Sequence, residues 1–187
     1  VTTHQNIEAQ ITSLTSSWEW TRDDYILNIL PLHHVHGIVN VMCCALWSGA
    51  CCEFLHRFDP DEVFEIFCRQ EINLFMAVPT IYYKLIARWN ELPVDKQQRI
   101  SAALKEFRLM VSGSAALPIS VLDAWKQISG HVLLERYGMT EVGMAISNPY
   151  HGERKPGFIG QPLPGVRVRL VDEDNRPVSD GQSGEIQ

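Results

Sequence analysis

A short run of chemically diverse side chains follows one apolar segment of the chain. Val132, Leu133 and Leu134 predict a buried strand, and residues 135–141 then bring acids, a base, a phenol, a glycine and a hydroxyl close together. Glycine lets backbone approach a ligand, and a glutamate can hold a hard cation such as Mg²⁺. Since ligands of open α/β sheets bind beyond the carboxyl ends of strands, the run predicts a ligand site. The alternative is a strand followed by an ordinary polar loop.

A second candidate is a group of three histidines, His33, His34 and His36. Histidines so close together could bind a metal, exchange protons or line a pocket. They could equally form a polar turn before the apolar helix that is predicted over residues 38–47. The residue types alone favour the polar turn.

The elements that must position these side chains alternate between strand and helix. Strands are predicted over 25–30, 50–55, 73–78, 107–111 and 131–136, and helices over 3–17, 38–47, 59–69, 79–89, 93–104 and 118–128. Repeated strand–helix units predict an α/β layered sheet through about residue 145. Glycine and proline then become frequent, and a half-exposed antiparallel strand over 166–171, a turn at Asp174 and Asn175 and a further strand from Gly184 predict a smaller β element.

Composition limits the class of protein. The 187 residues are 45% hydrophobic and 20% charged, which is typical of one globular domain with a real core. A net charge of -6 without a basic tract argues against nucleic acid as a partner. No apolar run is long enough for a transmembrane helix, and the first residues are unlike a targeting peptide.

Cysteine usage indicates a reducing compartment. The five cysteines include the vicinal pairs Cys43–Cys44 and Cys51–Cys52 but no C-x-x-C spacing. These pairs could bind a metal together with the histidines, but neighbours on a strand point to opposite faces. Buried free thiols are therefore the better interpretation, and they fit a cytosolic or mitochondrial-matrix protein.

Three motifs resemble those of the acyl-CoA synthetases in the adenylate-forming superfamily. Residues 137–141 (YGMTE) resemble the adenylate-binding motif, and residues 30–37 (LPLHHVHG) resemble a motif whose last histidine, here His36, lines and gates the acyl pocket. Residues 112–118 (SGSAALP) resemble the adenine-binding turn. The resemblance covers nearly the whole chain and implies the fold of the large domain. Residues 1–145 would then form part of the α/β adenylate-binding subdomain, and 146–187 would begin a β-rich subdomain.

The resemblance also implies a reaction, in which ATP and a carboxylic acid form an acyl-AMP and the acyl group then passes to CoA. By motif match, Tyr137 stacks on adenine, and Gly113 with Ala115 shapes the adenine pocket. Thr140 binds the α-phosphate, and Glu141 holds Mg²⁺. Gly138 and Met139 complete the nucleotide site. Since no protein nucleophile is needed, Thr140 and Glu141 carry the catalytic role.

Within the superfamily, the motifs at 75–82, 111–118 and 134–141 are most similar to the malonyl-CoA synthetase branch, which activates malonate and methylmalonate and is mitochondrial in animals. Arg136 is the expected selector, because a buried guanidinium needs a partner and a distal carboxylate is a planar bidentate match. Ser114 would add a hydrogen bond, and Met144 would limit chain length. The alternative is that Arg136 pairs with Glu135 or another structural acid.

Several family motifs are not found in the sequence. These are the phosphate loop that ends in a lysine, the Thr-Gly-Asp with the ribose-binding aspartate, and the catalytic lysine of the C-terminal domain. We therefore expect an internal piece, truncated at both ends, that does not catalyse alone and needs the remainder of its own chain. Its small-molecule partners would be a carboxylic acid, ATP and CoA. The expected compartment is the mitochondrial matrix, with the cytoplasm as the alternative.

Two other functions stay open on the sequence. One is a medium-chain fatty acyl-CoA or aryl-acid CoA ligase, which would keep the chemistry but not the dicarboxylate. The other belongs to a different class, a non-catalytic nucleotide-binding or scaffold splice form. A test of Arg136 distinguishes a malonate ligase from a fatty-acid or aryl-acid ligase. The presence or absence of the missing motifs in the full-length protein distinguishes an enzyme from a non-catalytic form.

Overall fold

The computed structural model describes residues 2–187 as a mixed α/β structure. Its helices are α1 (His4–Ser17), a π-helix (His36–Cys43) that continues into α2 (Cys44–Ser48), α3 (Pro60–Phe67), α4 (Pro79–Glu91), α5 (Val94–Lys105) and α6 (Ile119–Ser129). Its strands are β1 (Tyr25–Asn28), β2 (Cys51–Phe54), β3 (Leu74–Ala77), β4 (Leu109–Ser112), β5 (Leu134–Met139), β6 (Gly143–Ser147), β7 (Gln161–Pro162), β8 (Leu170–Val171) and β9 (Glu185–Ile186). None of the described helices is both long and apolar enough to cross a membrane.

Seven strands form one sheet in the order β2-β1-β3-β4-β5-β6-β7. The pairs from β2 to β5 are parallel, and β6 and β7 extend the sheet in antiparallel fashion. The predicted α/β layered sheet is thereby confirmed. The strand order reverses between β1 and β3, and such a reversal opens a crevice at the carboxyl ends of the strands. A separate two-stranded sheet of β8 and β9 is the smaller β element.

One face of the sheet is packed with aromatic rings against α3, α4, α5 and α6. Phe67 stacks edge-on against both Phe75 and Phe107, with ring centroids 4.9 Å apart in each pair. Tyr82 meets Trp125 at 5.0 Å, also edge-on. This geometry adds favourable quadrupole contacts to the burial of large apolar surfaces. The aromatic face therefore contributes much of the core that holds the parallel strands together.

The opposite face is covered by α1, the π-helix and α2. Leu14 and Trp18 of this side are fully buried together with Val41 and Leu134. Helix α1 is capped by Thr3, whose hydroxyl accepts from the Asn6 backbone N–H in a capping box. This face carries the polar side chains that surround the cavities described below.

Local signals located some helix starts well, and Asp59 is the clearest case. Its carboxylate accepts from the backbone N–H groups of Asp61 and Glu62, and Pro60 occupies the first helical position. A carboxylate at this position satisfies otherwise unpaired N–H groups and also favours the positive end of the helix dipole. The predicted cap of α3 is confirmed, although the helix ends at Phe67 rather than at residue 69.

Three boundaries differ from the predictions. The predicted strand over 131–136 is wrong at both ends, because β5 begins at Leu134 and continues to Met139 by antiparallel pairing with β6. The helix predicted from residue 38 starts at His36 as a π-helix, so His36 is helical rather than part of a preceding turn. The strand predicted over 166–171 is reduced to β8, which pairs antiparallel with β9.

Candidate functional site

A cavity of about 360 Å³ lies beyond the carboxyl ends of four parallel strands. Leu30 and Pro31 follow β1, Val78 follows β3, Ser114 follows β4, and Arg136 belongs to β5. The other lining residues are His34, Val35, His36, Gly138, Met139, Thr140 and Met144. The sheet therefore brings together side chains that are far apart in the sequence, at the edge where ligands of such folds bind.

Three polar side chains meet in this cavity. Ser114 Oγ lies 3.2 Å from His36 Nδ1, and Arg136 Nη2 donates to the same Ser114 Oγ over 3.3 Å. Ser114 has a φ of 66°, in the left-handed region that non-glycine residues rarely adopt, and such strained residues concentrate at functional sites. The backbone at Ser114 therefore holds the hydroxyl between the imidazole and the guanidinium.

Arg136 is the most unusual of the three, because it is only 4% exposed and carries a charge. Within residues 2–187, no carboxylate oxygen lies within 4.0 Å of its guanidinium nitrogens. Its Nε atom is buried without a hydrogen-bond partner. Glu135 points elsewhere, because its Oε1 accepts from the Gly157 N–H over 3.1 Å. Burial lowers the pKa of the Arg136 guanidinium to about 10, so the group keeps its charge at neutral pH.

Gly113 makes room for this guanidinium. A Cβ atom at position 113 would lie 2.5 Å from both Cζ and Nε of Arg136. The backbone after β4 and the charged plane are therefore in contact, which only glycine permits without a shift. Gly113 thus contributes to the site through the space that it leaves.

His36 is neutral in this environment. Burial, and secondarily the positive charge of Arg136, lower the pKa of His36 well below its usual value of 6.5. Its Nε2 atom is buried and has no hydrogen-bond partner. The imidazole lies on the first turn of the π-helix. Such segments are rare in proteins as a whole, but those that occur are often found at functional sites.

A second and larger cavity of about 650 Å³ adjoins the first one. Val35, Thr140 and Met144 line both cavities, so the two adjoin, and together they are called the recess below. Helix α1, the β5–β6 turn with Thr140 and Glu141, and the segment around Gly165 form the walls of the larger part. Glu141 is exposed there and is free to contact a ligand or a hydrated cation.

Most of the residues singled out by the motif match converge on this recess. His36, Ser114, Arg136, Gly138, Met139 and Met144 line the smaller part, Glu141 lines the larger part, and Thr140 lines both. Tyr137, which is half-buried, and Ala115, which is exposed, line neither. The roles that the motif match implies for these residues stay predictions.

Two further polar residues, one fully buried and one lining the larger cavity, were not anticipated. Asn40 is fully buried on the π-helix, and neither polar atom of its side chain has a partner. Gln10 reaches from α1 to the backbone of Met144. A lone asparagine in the apolar run 38–47 was a visible signal, but an exposed-looking glutamine on α1 carried none.

None of the five cysteines is paired in a disulfide in the structure. Burial raises the pKa of the Cys43 thiol and, more strongly, that of Cys44. Within residues 2–187 there is no group of three or more His, Cys, Asp or Glu side chains placed to hold a metal ion.

Comparison with known proteins gives a consistent result along the whole chain. The family model described as AMP-binding enzyme matches residues 1–187. The chain is 52% identical over 182 residues to the mitochondrial malonate–CoA ligase ACSF3 of Xenopus laevis and 54% identical over 181 residues to that of Homo sapiens. These alignments cover 94% and 93% of this chain but 32% and 31% of the relatives, so the chain spans about a third of their length.

Solved structures agree with the sequence relatives. ATP-bound MatB from Rhodopseudomonas palustris superposes with a TM-score of 0.88 at 35% identity, over 98% of this chain and 35% of that protein. A malonyl-CoA ligase in a ternary product complex with methylmalonyl-CoA and AMP superposes with a TM-score of 0.88 at 34% identity, over 100% of this chain and 39% of that protein. Both similarities extend across the sheet and the recess.

Proposed function

Because this chain belongs to the AMP-binding enzyme family, we propose that it forms the acid-binding part of an ATP-dependent acid–thiol ligase for malonate or methylmalonate. The full activity is that of a longer protein, since the chain spans about a third of its relatives. Malonate–CoA ligases in animals and plants are among those relatives, at 40–54% identity. A structural neighbour also holds methylmalonyl-CoA and AMP.

The observation that carries this proposal is the unpaired guanidinium of Arg136. A buried charge without a partner is costly, and a ligand carboxylate in the adjoining cavity would relieve that cost. Malonate has a second carboxylate, which remains free when the first one reacts. Fatty and aryl acids have only the carboxylate that reacts and no second one, so they would leave Arg136 unpaired. Arg136 thus supplies a physical reason for selectivity between acids.

The other groups of the recess fit the two steps of such a ligase. In the first step, a carboxylate oxygen of the acid attacks the α-phosphorus of ATP, and the bond to the β-phosphate breaks to release pyrophosphate. In the second step, the thiol of CoA releases its proton to solvent and attacks the acyl carbon, and the bond to AMP breaks so that AMP leaves. Neither step needs a protein nucleophile, so positioning and charge neutralisation account for catalysis.

Thr140 and Glu141 are the groups that we assign to the nucleotide. Thr140 lines both parts of the recess, which supports a role in which its hydroxyl would donate to the α-phosphate while the acid lies beside Arg136. Glu141 would hold Mg²⁺, which usually takes one or two carboxylates together with substrate phosphates and water. The exposed position of Glu141 fits that mode of binding. When bound, Mg²⁺ would neutralise phosphate charge.

For the remaining residues, the proposal follows the motif match. Tyr137 would stack on adenine, with Gly113 and Ala115 shaping that pocket, and Gly138 and Met139 would pass beside the nucleotide. His36 would gate the acyl group as a neutral ring, which its lowered pKa supports. Met144, buried in the wall of the smaller part, would limit the length of the acid.

The test is carboxylate-dependent ATP–pyrophosphate exchange by the full-length protein with malonate, methylmalonate, acetate, octanoate and benzoate. We expect exchange with malonate and methylmalonate only. Arg136→Met should reduce malonate-dependent exchange at least about a hundredfold, because a charge-assisted bidentate contact is lost. Arg88→Met is a matched control, since Arg88 lies on the outside of α4, paired with Asp61 and Glu91.

Each outcome of this assay discriminates among functions. Exchange with octanoate or benzoate instead would retain the family and overturn the dicarboxylate substrate. Exchange with malonate that survives Arg136→Met would remove the role given to Arg136. Absence of exchange with every acid would favour the non-catalytic alternative.

We also propose the mitochondrial matrix as the compartment. The animal relatives are named as mitochondrial proteins, and the free thiols fit a reducing environment. Subcellular fractionation of the full-length protein checks this, and recovery in the cytoplasm alone would contradict it.

A further inference from the structure

Helix α1 reaches the recess through one side chain, Gln10. Its Nε2 donates to the Met144 carbonyl oxygen over 3.1 Å, and its Oε1 accepts from the Met144 N–H. One side-chain amide thus satisfies both backbone groups of one residue of β6. Strand β7 pairs with β6 only at Ile146 and Ser147 and does not reach Met144. Gln10 therefore takes the place that a neighbouring strand would occupy.

Gly143, the residue before Met144, is shaped to admit this amide. Its φ is +70°, and a Cβ atom there would lie 2.7 Å from Gln10 Cδ. The glycine thus lets the glutamine approach the backbone directly after the β5–β6 turn. That turn carries Thr140 and Glu141, and its other side is the bulged end of β5. Without Gln10, the turn would be held on the β5 side alone.

The residue that Gln10 holds is also shared between the two parts of the recess. Met144 is 3% exposed and lines both cavities, and Gln10 itself lines the larger one beside Thr140 and Glu141. A shift of Met144 along β6 would therefore move the turn relative to the strand that carries Arg136.

We infer that Gln10 is a positioning residue, which fixes the β5–β6 turn so that Thr140 and Glu141 face the phosphates of ATP. The inference rests on the proposed function, because it takes the turn to be the nucleotide-binding element. It assigns to α1 a role in ATP affinity that is separate from the packing of the helix. In this role Gln10 acts through its two hydrogen bonds to the backbone of Met144.

The first test is equilibrium binding of MgATP to the full-length protein, measured by calorimetry without any acid present. Gln10→Met keeps the size of the side chain and removes both hydrogen bonds. We expect the Kd for ATP to rise about tenfold, as for the loss of two ordinary hydrogen bonds that order a binding element. Gln5→Met is the matched control, because Gln5 is an exposed glutamine on the same helix.

Gln10→Glu is a second variant, which protects the test if Gln10→Met fails to fold. A carboxylate still accepts from the Met144 N–H but repels the Met144 carbonyl oxygen, so the loss of ATP affinity should be at least as large.

Steady-state kinetics then distinguish a positioning role from a purely structural one. A positioning role raises the KM for ATP while the KM for the acid changes less than about twofold, whereas a merely structural role lowers the amount of active protein and leaves both KM values unchanged.

Two results would overturn the inference. One is a folded Gln10→Met or Gln10→Glu protein whose Kd for ATP stays within about twofold of the parent value. The other is an equal loss in Gln5→Met. Because ATP binding is measured without acid, a protein that proves to use another acid, and so contradicts the proposed substrate, still tests Gln10.

Discussion

The two faces of the central sheet differ in how completely their polar atoms are satisfied. On the aromatic face, the Tyr82 hydroxyl donates to the Val111 carbonyl over 2.9 Å, and the Trp125 indole N–H contacts Met110 Sδ at 3.2 Å. Within residues 2–187, no side chain of α3, α4, α5 or α6 has a buried nitrogen or oxygen without a partner, and Ser112 Oγ, at the end of β4, is the exception among the strand residues of this face. On the other face, His36, Asn40 and Arg136 all carry such atoms.

This difference indicates that one face mainly contributes stability and the other mainly contributes the ligand site. Buried polar atoms without partners oppose folding, so they persist where a ligand uses them or where the rest of the molecule compensates. The aromatic face contributes stability through close packing, whereas the face with Arg136 retains groups that a bound carboxylate would satisfy. A substitution on the aromatic face should therefore lower stability and leave the choice of acid unchanged. A substitution of Arg136 should change the choice of acid without lowering stability.

The largest effect is expected from Trp125→Ala on the aromatic face. Trp125 is fully buried, and its removal leaves a cavity, so the full-length protein should lose about 3–5 kcal/mol of unfolding free energy. The preference of the remaining folded protein for malonate over acetate should not change. Urea denaturation and pyrophosphate exchange measure the two quantities.

Trp47→Ala is the control for that experiment, since Trp47 is 55% exposed and its loss should cost less than about 1 kcal/mol. A changed acid preference in Trp125→Ala would break the division between the faces. Equal destabilisation by both variants would show that the aromatic cluster does not contribute as described.

A smaller effect of opposite sign is expected at Arg136. Arg136→Met replaces a buried and unpaired charge with an apolar side chain. We expect the free energy of unfolding to stay unchanged or to rise by about 1 kcal/mol, although malonate use is lost. Arg108→Met is the sharp contrast, because Arg108 pairs with Asp24 through 2.5 Å and 2.7 Å contacts, and Asp24 is 2% exposed. Loss of that partner should cost about 3 kcal/mol.

Thermal denaturation of the two arginine variants in the absence of ligand makes this comparison directly. If Arg136→Met destabilises the protein as much as Arg108→Met, then Arg136 has a structural partner, and the argument from its unpaired charge fails. Addition of malonate should raise the melting temperature of the parent protein but not that of Arg136→Met.

The smallest effect is a pH dependence that comes from His36. Its folded-state pKa lies below the unfolded value of 6.5, so the unfolded chain binds more protons as pH falls through that range. The stability associated with a neutral His36 is therefore present above about pH 6.5 and is lost as pH decreases below it. His36→Gln has no such proton to bind and should lose less stability between neutral and mildly acidic pH.

Urea midpoints at several pH values measure this slope, with the exposed His4→Gln as control. His131 adds a dependence of the same sign, since burial also lowers its pKa, so the slope is reduced rather than abolished. An unchanged slope in His36→Gln would mean that this imidazole is not held neutral in the fold.

The sequence predicted those features that depend on neighbouring residues. The start of α3 follows from Asp59 and Pro60 alone, and the buried strands β3 and β4 follow from continuous apolar runs. The extension of β5 to Met139 depends on pairing with β6, which no local pattern reports. The π-helix could not be predicted either, because its residues do not differ in type from those of an ordinary buried α-helix.

The candidate site shows the same limit. Spacing along the chain cannot bring His36 next to Ser114, which is 78 positions away, or Ser114 next to Arg136, which is 22 positions away. The motif resemblance grouped these residues, and the sheet explains physically why they meet. Gln10 escaped both approaches, because its contact with Met144 spans 134 positions and belongs to no motif that was quoted.

The π-helix has a consequence for how the pocket could be altered. A π turn holds one more residue than an α turn, and it remains continuous with α2, so deletion of one residue from the segment would let it revert to an α-helix. Since each residue of an α-helix advances by about 100°, a deletion between His36 and Asn40 would change the angle between these two side chains. A single-codon deletion thus offers a short route to a differently lined pocket.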